Sequence, residues 1–315
     1  MMTRSLVFCT AVLLCCLITP QAHGQATAPD STAVFHQDLA WSPDGRWIVF
    51  SANPGAGYDL WLARADGSAM KSLTADGKGN LWAAWSPDGK SIAYTSTRDG
   101  GTDIYVMSPD GENPRRLTQG TGRNQAPSWS PDGSRLAFMS DRIGIWQIFI
   151  MRSDGSDARR VSSEAYVGGH GMVGLPVTWL PNLDHNPVWS PRESKIVFYT
   201  DKGKGKGQIY VIDPDGKHPT ALIQNEFNNI YPSWSSDGKR ILFTSNQNGP
   251  NALFTMKSDG SDVKRVSDRL AFFGRWSPDG KKIAAIFGRY PHTAIGIMSL
   301  DGTEPVWITP PLSEP

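Results

Sequence analysis

The chain is 315 residues long, with 31 basic and 30 acidic side chains, a formal net charge of +1 and twelve tryptophans. A balance this even supplies no global field toward nucleic acid or an anionic membrane surface, and three cysteines are too few for a disulfide scaffold. The length is ample for one large domain with a substantial core.

Residues 1–24 read as a cleavable signal peptide. Arg4 forms a positive start, Leu6 to Thr19 an apolar stretch, and Ala22-His23-Gly24 a small-x-small cleavage site before Gln25. All three cysteines, Cys9, Cys15 and Cys16, fall inside this leader, and the large residues before them do not suit a lipid-attachment site. The mature chain therefore has no thiol, which excludes disulfides and cysteine nucleophiles. Beyond the leader no stretch approaches the length of a membrane span. A periplasmic or secreted protein, expected to be a monomer, follows.

After a short segment at 25–34, one pattern repeats six times over residues 35–309. Its first beat is Trp41-Ser-Pro-Asp-Gly45, Trp85-Ser-Pro-Asp-Gly89, Trp129-Ser-Pro-Asp-Gly133, Trp189-Ser-Pro-Arg-Glu193, Trp234-Ser-Ser-Asp-Gly238 and Trp276-Ser-Pro-Asp-Gly280. A second beat follows 22 or 23 residues later, at Asp66-Gly67, Asp110-Gly111, Asp154-Gly155, Asp215-Gly216, Asp259-Gly260 and Asp301-Gly302. The tryptophans are spaced 44, 44, 60, 45 and 42 residues apart, the period of a four-stranded propeller blade. In the second repeat, Trp82 to Trp85 enters a Ser-Pro-Asp-Gly turn, Ser91 to Ser96 returns, Asp103 to Met107 forms a third strand and Arg115 to Thr118 a fourth. Proline presets φ in such turns and glycine accepts the positive φ that closes them. The expected fold is all-β, a six-bladed β-propeller with four antiparallel strands per blade.

The run of Trp-Ser-Pro-Asp-Gly, Ile-Tyr-Val-Met, Asp-Gly and Arg-Arg-Leu-Thr resembles the WD40-like PD40 repeat of TolB propellers, over about 275 residues. The resemblance implies a TolB C-terminal-type propeller, here without the α/β domain that precedes it in TolB proteins. It also implies protein contacts in the cell envelope.

A meander places both Asp-Gly beats on one face and the variable loops on the other. The loop face is the expected seat of function. Basic pairs at Arg115-Arg116, Arg159-Arg160 and Lys264-Arg265 precede the last strand of their blades, as guards of an outer edge. The fourth repeat lacks Asp-Gly in its turn and follows an insertion at about 163–186, rich in glycine at 168–174 and carrying Pro176, Trp179 and Pro181. This insertion is either a gripping loop or a cover for an apolar gap. How the ring closes is open between two schemes: each blade is one continuous repeat, or residues 32–35 pair with 305–309. A tail follows at 310–315.

Five positions before each tryptophan stand His36, Asn80, Asn124, Asp184, Asn229 and Ala271. The next positions add Gln37, Gln125 and His185, then Asp38, Trp82, Asn186, Tyr231 and Phe273. On innermost strands these residues are expected to crown the loop-face mouth of the channel. They either satisfy strand edges and channel water or bind a ligand, peptide or partner, with Trp179 of the insertion a further binding candidate and His170 the residue placed to reach in. His36, Asp38, Asp184 and His185 are the candidates for a divalent cation, although their spacing matches no compact ligand signature.

No Gly-x-Ser-x-Gly elbow and no His-Glu-x-x-His is present, so hydrolase chemistry of those kinds is excluded. The expected function is a non-catalytic binding scaffold for a protein or peptide, with no cofactor. The alternative is a metal-dependent polysaccharide lyase of the oligogalacturonate-lyase kind, or another carbohydrate-binding propeller, with its site at the channel mouth.

Overall fold

Each Trp-Ser turn is closed by its own side chains. In the first, Ser42 Oγ donates to Asp44 Oδ1 at 2.6 Å and accepts the Trp47 backbone N–H at 2.9 Å. The Gly45 N–H reaches the Ser42 carbonyl at 2.9 Å with φ of 70°. The same Ser–Asp bond recurs at 2.6 Å for Ser86–Asp88, Ser130–Asp132, Ser235–Asp237 and Ser277–Asp279. These bonds hold the aspartates below the usual carboxylate range. The fourth turn has no aspartate to offer, and Ser190 Oγ instead accepts the Glu193 N–H at 3.1 Å.

The computed structural model describes residues 35–53, 57–120, 122–162, 183–201, 206–289, 292–300 and 305–309. The signal peptide, the segment at 25–34, the tail at 310–315 and most of the insertion, including His170 and Trp179, lie outside the described residues. Within them the chain is all-β, with six sheets of four consecutive antiparallel strands and no helix. The first sheet is β1 (Phe35–Trp41), β2 (Trp47–Asn53), β3 (Asp59–Arg64) and β4 (Met70–Ser72). The innermost strands of the others are Leu81–Trp85, Asn124–Trp129, Leu183–Trp189, Asn229–Trp234 and Ala271–Trp276. The fold is the six-bladed propeller that the repeat predicts.

The middle strands depart from half-exposed alternation. Ile92–Ser96 and Asp103–Met107 are buried at every position, because neighbouring blades cover both of their faces. The outermost strands are short: Arg115–Arg116, Arg159–Arg160 and Lys264–Arg265 have two residues each. An edge that brief and that basic offers little template for a further strand.

The second Asp-Gly beat does more than turn the chain. A Cβ on Gly111, Gly155 or Gly260 would stand 2.7, 2.5 or 2.3 Å from the carbonyl oxygen of Leu73, Leu117 or Leu222 on the preceding blade. Glycine is required there both for positive φ and for this close approach.

Among the described residues, side chains join the first and last blades. The Thr293 hydroxyl of the last blade accepts the His36 backbone N–H at 2.8 Å and lies 3.0 Å from His36 Nδ1. The Trp41 indole donates to the Arg275 carbonyl at 3.2 Å. Phe35 pairs with Asn53 in its own blade, while Val306 and Trp307 pair with Ile297 and Gly296 in theirs. Residues 32–34 lie outside the described residues.

Candidate functional site

Counting back from the turn tryptophans, the asparagines at the fifth position are clamps between blades. Asn124 Oδ1 accepts from Ser140 Oγ at 2.9 Å, and its Nδ2 donates to Asp103 Oδ1 of the preceding blade at 3.0 Å. Asp103 is fixed in turn by Thr118 Oγ1 at 2.7 Å, whose oxygen accepts the Ile104 N–H at 3.0 Å. Asn80 repeats the motif with Ser96 at 2.7 Å and Asp59 at 3.1 Å. Asn229 accepts from Ser245 at 2.8 Å and donates to Asn225 at 2.8 Å. His36 takes the same position against Thr293. The asparagines are at most 1% exposed and do not line the channel. Each amide is satisfied by a serine of its own blade and by an acceptor on the blade or link before it.

Position four holds Gln37 and Gln125 and places His185 against Tyr199, the rings stacked with centroids 4.9 Å apart. Burial lowers the pKa of His36 and of His185 to about 4, so both imidazoles are neutral near pH 7.

Position three is a β-bulge. Each innermost strand slips its register around this point. Trp82, Ala126, Asn186, Tyr231 and Phe273 have φ between 49° and 60°, a region that bulky residues rarely adopt. The N–H groups freed by the bulge are capped from the preceding blade. Trp82 N–H donates to Asp38 Oδ2 at 2.7 Å, Ala126 N–H to Thr95 Oγ1 at 3.2 Å, and Phe273 N–H to Thr244 Oγ1 at 3.2 Å. The bulge aims the side chains into the channel. Phe273 meets Trp82 at 5.4 Å and Tyr231 at 4.6 Å between ring centroids, making an aromatic floor.

Below this floor, toward the turn face, lies a cavity of about 330 Å³, at the small end of ligand-pocket sizes. It is walled by all six turn tryptophans, by Pro87, Pro191 and Pro278, and by Asp38, Trp82, Asn186, Phe273 and Arg275. The cavity lies at the turn-face end of the channel, opposite the loop-face mouth expected from the sequence. Of the residues proposed from the sequence, Asp38, Trp82 and Asn186 reach the cavity; His36, Asn80, Asn124, Gln125, Asp184, His185, Asn229 and Tyr231 do not line it.

Two ionisable groups mark the cavity. Asp38 is buried, which raises its pKa, while Ser51 Oγ at 2.6 Å and the Trp82 and Ala83 N–H groups stabilise its anion. Arg275 was not among the candidates. Its guanidinium lies 4.4 Å from the Phe273 ring centroid, and burial lowers its pKa to about 10, leaving it positive near neutral pH. A signal was present: the residue before each turn tryptophan is Ala40, Ala84, Ser128, Val188, Ser233 and then Arg275, one cation among small side chains.

The proposed cation ligands do not assemble. Asp38 is occupied by three donors, His36 faces Thr293, His185 stacks on Tyr199, and among the described residues no three carboxylate, imidazole or thiol groups converge as a metal site.

Comparison with known proteins places this geometry. A segment of 103 residues is 34% identical to the Tol-Pal system protein TolB of Anaeromyxobacter dehalogenans and covers 32% of this chain and 24% of that protein. The chain thus aligns with about a quarter of that relative. The crystal structure of TolB from Acinetobacter baumannii superposes with a TM-score of 0.65 at 22% identity, over 86% of this chain and 62% of that one. An oligogalacturonate lyase in complex with manganese shares the fold at a TM-score of 0.57 and 12% identity, over 86% of this chain and 77% of its own. The family model for the PD40 TolB beta propeller domain matches residues 31–116, 79–172 and 176–313, and the chain belongs to that family.

Proposed function

We propose that this propeller is an exported, non-catalytic binding module that receives a protein or peptide segment at the turn-face end of its channel, within a cell-envelope assembly. The observation that carries the reading is the cavity itself: aromatic walls from all six blades around a few convergent polar groups. The similarity to a Tol-Pal system protein supports an envelope setting and a protein partner. The signal peptide read at residues 1–24 supports export.

A lyase reading requires a metal and a base beside the sugar, and of the four cation candidates His36, Asp184 and His185 do not line the cavity. The neighbouring lyase shares the fold at 12% identity, and fold alone does not carry an activity.

The test is capture from an envelope extract by wild type and by Ala40→Trp. Ala40 lines the cavity one residue before its turn tryptophan, where the equivalent position in the last blade already holds Arg275. The large side chain is expected to fill the cavity and abolish capture while the ring stays folded. Undiminished capture by the filled variant would sink the turn-face site. Ultraviolet-absorbing product from polygalacturonate would sink the non-catalytic reading.

A further inference from the structure

We propose that the turn-face cavity is a receptor for a carboxylate carried on a peptide, with Arg275 as its anchor. The proposal rests on the binding reading above and names the chemistry of the ligand.

Charge in the cavity is placed asymmetrically. Five of the six positions before the turn tryptophans are small, and the sixth is Arg275. Among the described residues its guanidinium donates to one acceptor, the Gly274 carbonyl at 3.1 Å, and one of its faces is covered by Phe273. It interacts with Asp38 through space and not by a hydrogen bond. The Asp38 oxygens are spent on Ser51 and on the bulge N–H groups. A guanidinium carries five donors in a planar fork, so most of this one remains for a ligand.

Trp82 lines the same cavity and presents its ring, 8% exposed, beside Phe273. A guanidinium only donates, so a group that pairs with Arg275 must bring acceptors. A fixed cation favours an anionic acceptor, and a planar carboxylate matches the guanidinium fork with two parallel bonds. At about 330 Å³ the space admits one or two residues and not a folded chain. Its tryptophan walls suit apolar neighbours of the acidic group. An Asp or Glu flanked by apolar side chains, or a free C-terminus, has these properties.

The experiment is an array of random hexapeptides, in amidated and free-acid forms, probed with the full chain and with Arg275→Gln and Arg275→Lys. Selected peptides are then titrated by tryptophan fluorescence, the melting temperature of each variant serving as the folding control. Wild type is expected to select peptides rich in Asp or Glu beside apolar residues, and to lose about tenfold in affinity when the acid is changed to its amide. Arg275→Gln should bind acid and amide peptides alike, and Arg275→Lys should keep part of the preference. Selection confined to the free-acid array assigns the carboxylate to a C-terminus, and selection in both arrays assigns it to a side chain. Equal binding of acid and amide by wild type, or an unchanged preference in Arg275→Gln, overturns the carboxylate and leaves peptide binding standing. No peptide bound by wild type overturns both.

Discussion

Asn124 is one polar side chain that holds two blades. Replacing it by alanine strands Ser140 on its own blade and loosens Asp103 on the neighbour, both of them buried. The expected cost is about 2 kcal/mol, since a buried partner left unsatisfied loses more than one net hydrogen bond. A lowered urea midpoint checks this, and an unchanged midpoint would contradict the clamp. The identity of this ring was legible in the sequence, because alignment on tryptophan exposes Asn80, Asn124 and Asn229 together. Its direction was not. Which way a side chain points near position three depends on a bulge at Trp82, Ala126, Asn186, Tyr231 and Phe273, and no glycine marks that bulge except at Gly274. At Trp82, Tyr231 and Phe273 the positive φ is borne by a bulky residue against its own preference.

At the scale of the element, the two Asp-Gly beats look alike in sequence and differ in work. The first closes a hairpin, whereas the second brings a turn against the backbone of the blade before it. Gly155 and Gly144, a loop glycine outside both beats, have φ of 95° and 94° and separate the close approach from backbone strain. A Cβ at Gly144 meets nothing within 4 Å, while one at Gly155 meets the Leu117 carbonyl at 2.5 Å. Gly144→Ala should cost about 1 kcal/mol, from backbone strain alone. Gly155→Ala is expected to cost at least about 1 kcal/mol more, because a carbonyl oxygen in a packed ring cannot swing aside as a surface side chain can. Thermal unfolding of the two variants side by side measures this, and equal losses would refute the inter-blade role. Strand number and order were readable from the spacing of the turns. Burial of both faces of the middle strands was not, since it comes from neighbours contributed 44 or so residues away.

For the whole molecule, the junction of first and last blades makes stability depend on acidity. Burial lowers the His36 pKa to about 4, against 6.5 for an exposed imidazole. Between those values the unfolded chain holds a proton that the native one refuses, so stability is full above pH 6.5 and falls as pH drops toward 4. The contribution is roughly 3 kcal/mol for His36 across that window, and His185 acts in the same direction. Asp38 works in the opposite sense, because burial raises its pKa and its ionisation costs stability as pH rises above 3.8. The turn aspartates titrate lower and are exposed, so their loss comes below this window. Melting temperature is expected to fall between pH 6.5 and 4 in the wild type and to vary less in His36→Asn. Parallel curves for the two proteins would remove His36 from the closure.

Closure by His36, Thr293 and Trp41 joins two blades through side chains, with each of the six sheets a single unbroken stretch of the chain. Many rings of this kind are locked by a blade woven from both ends of the polypeptide; among the described residues each sheet here is one stretch, and at the seam His36 N–H uses the Thr293 hydroxyl where Asn80, Asn124, Asp184 and Ala271 use a backbone carbonyl of the blade before. Order along the chain and order around the circle are then separable. A chain opened between any two blades, with its old ends tied together, would carry the same six units and the same six seams, which makes the number of blades a matter of how many copies meet and not of where the thread starts.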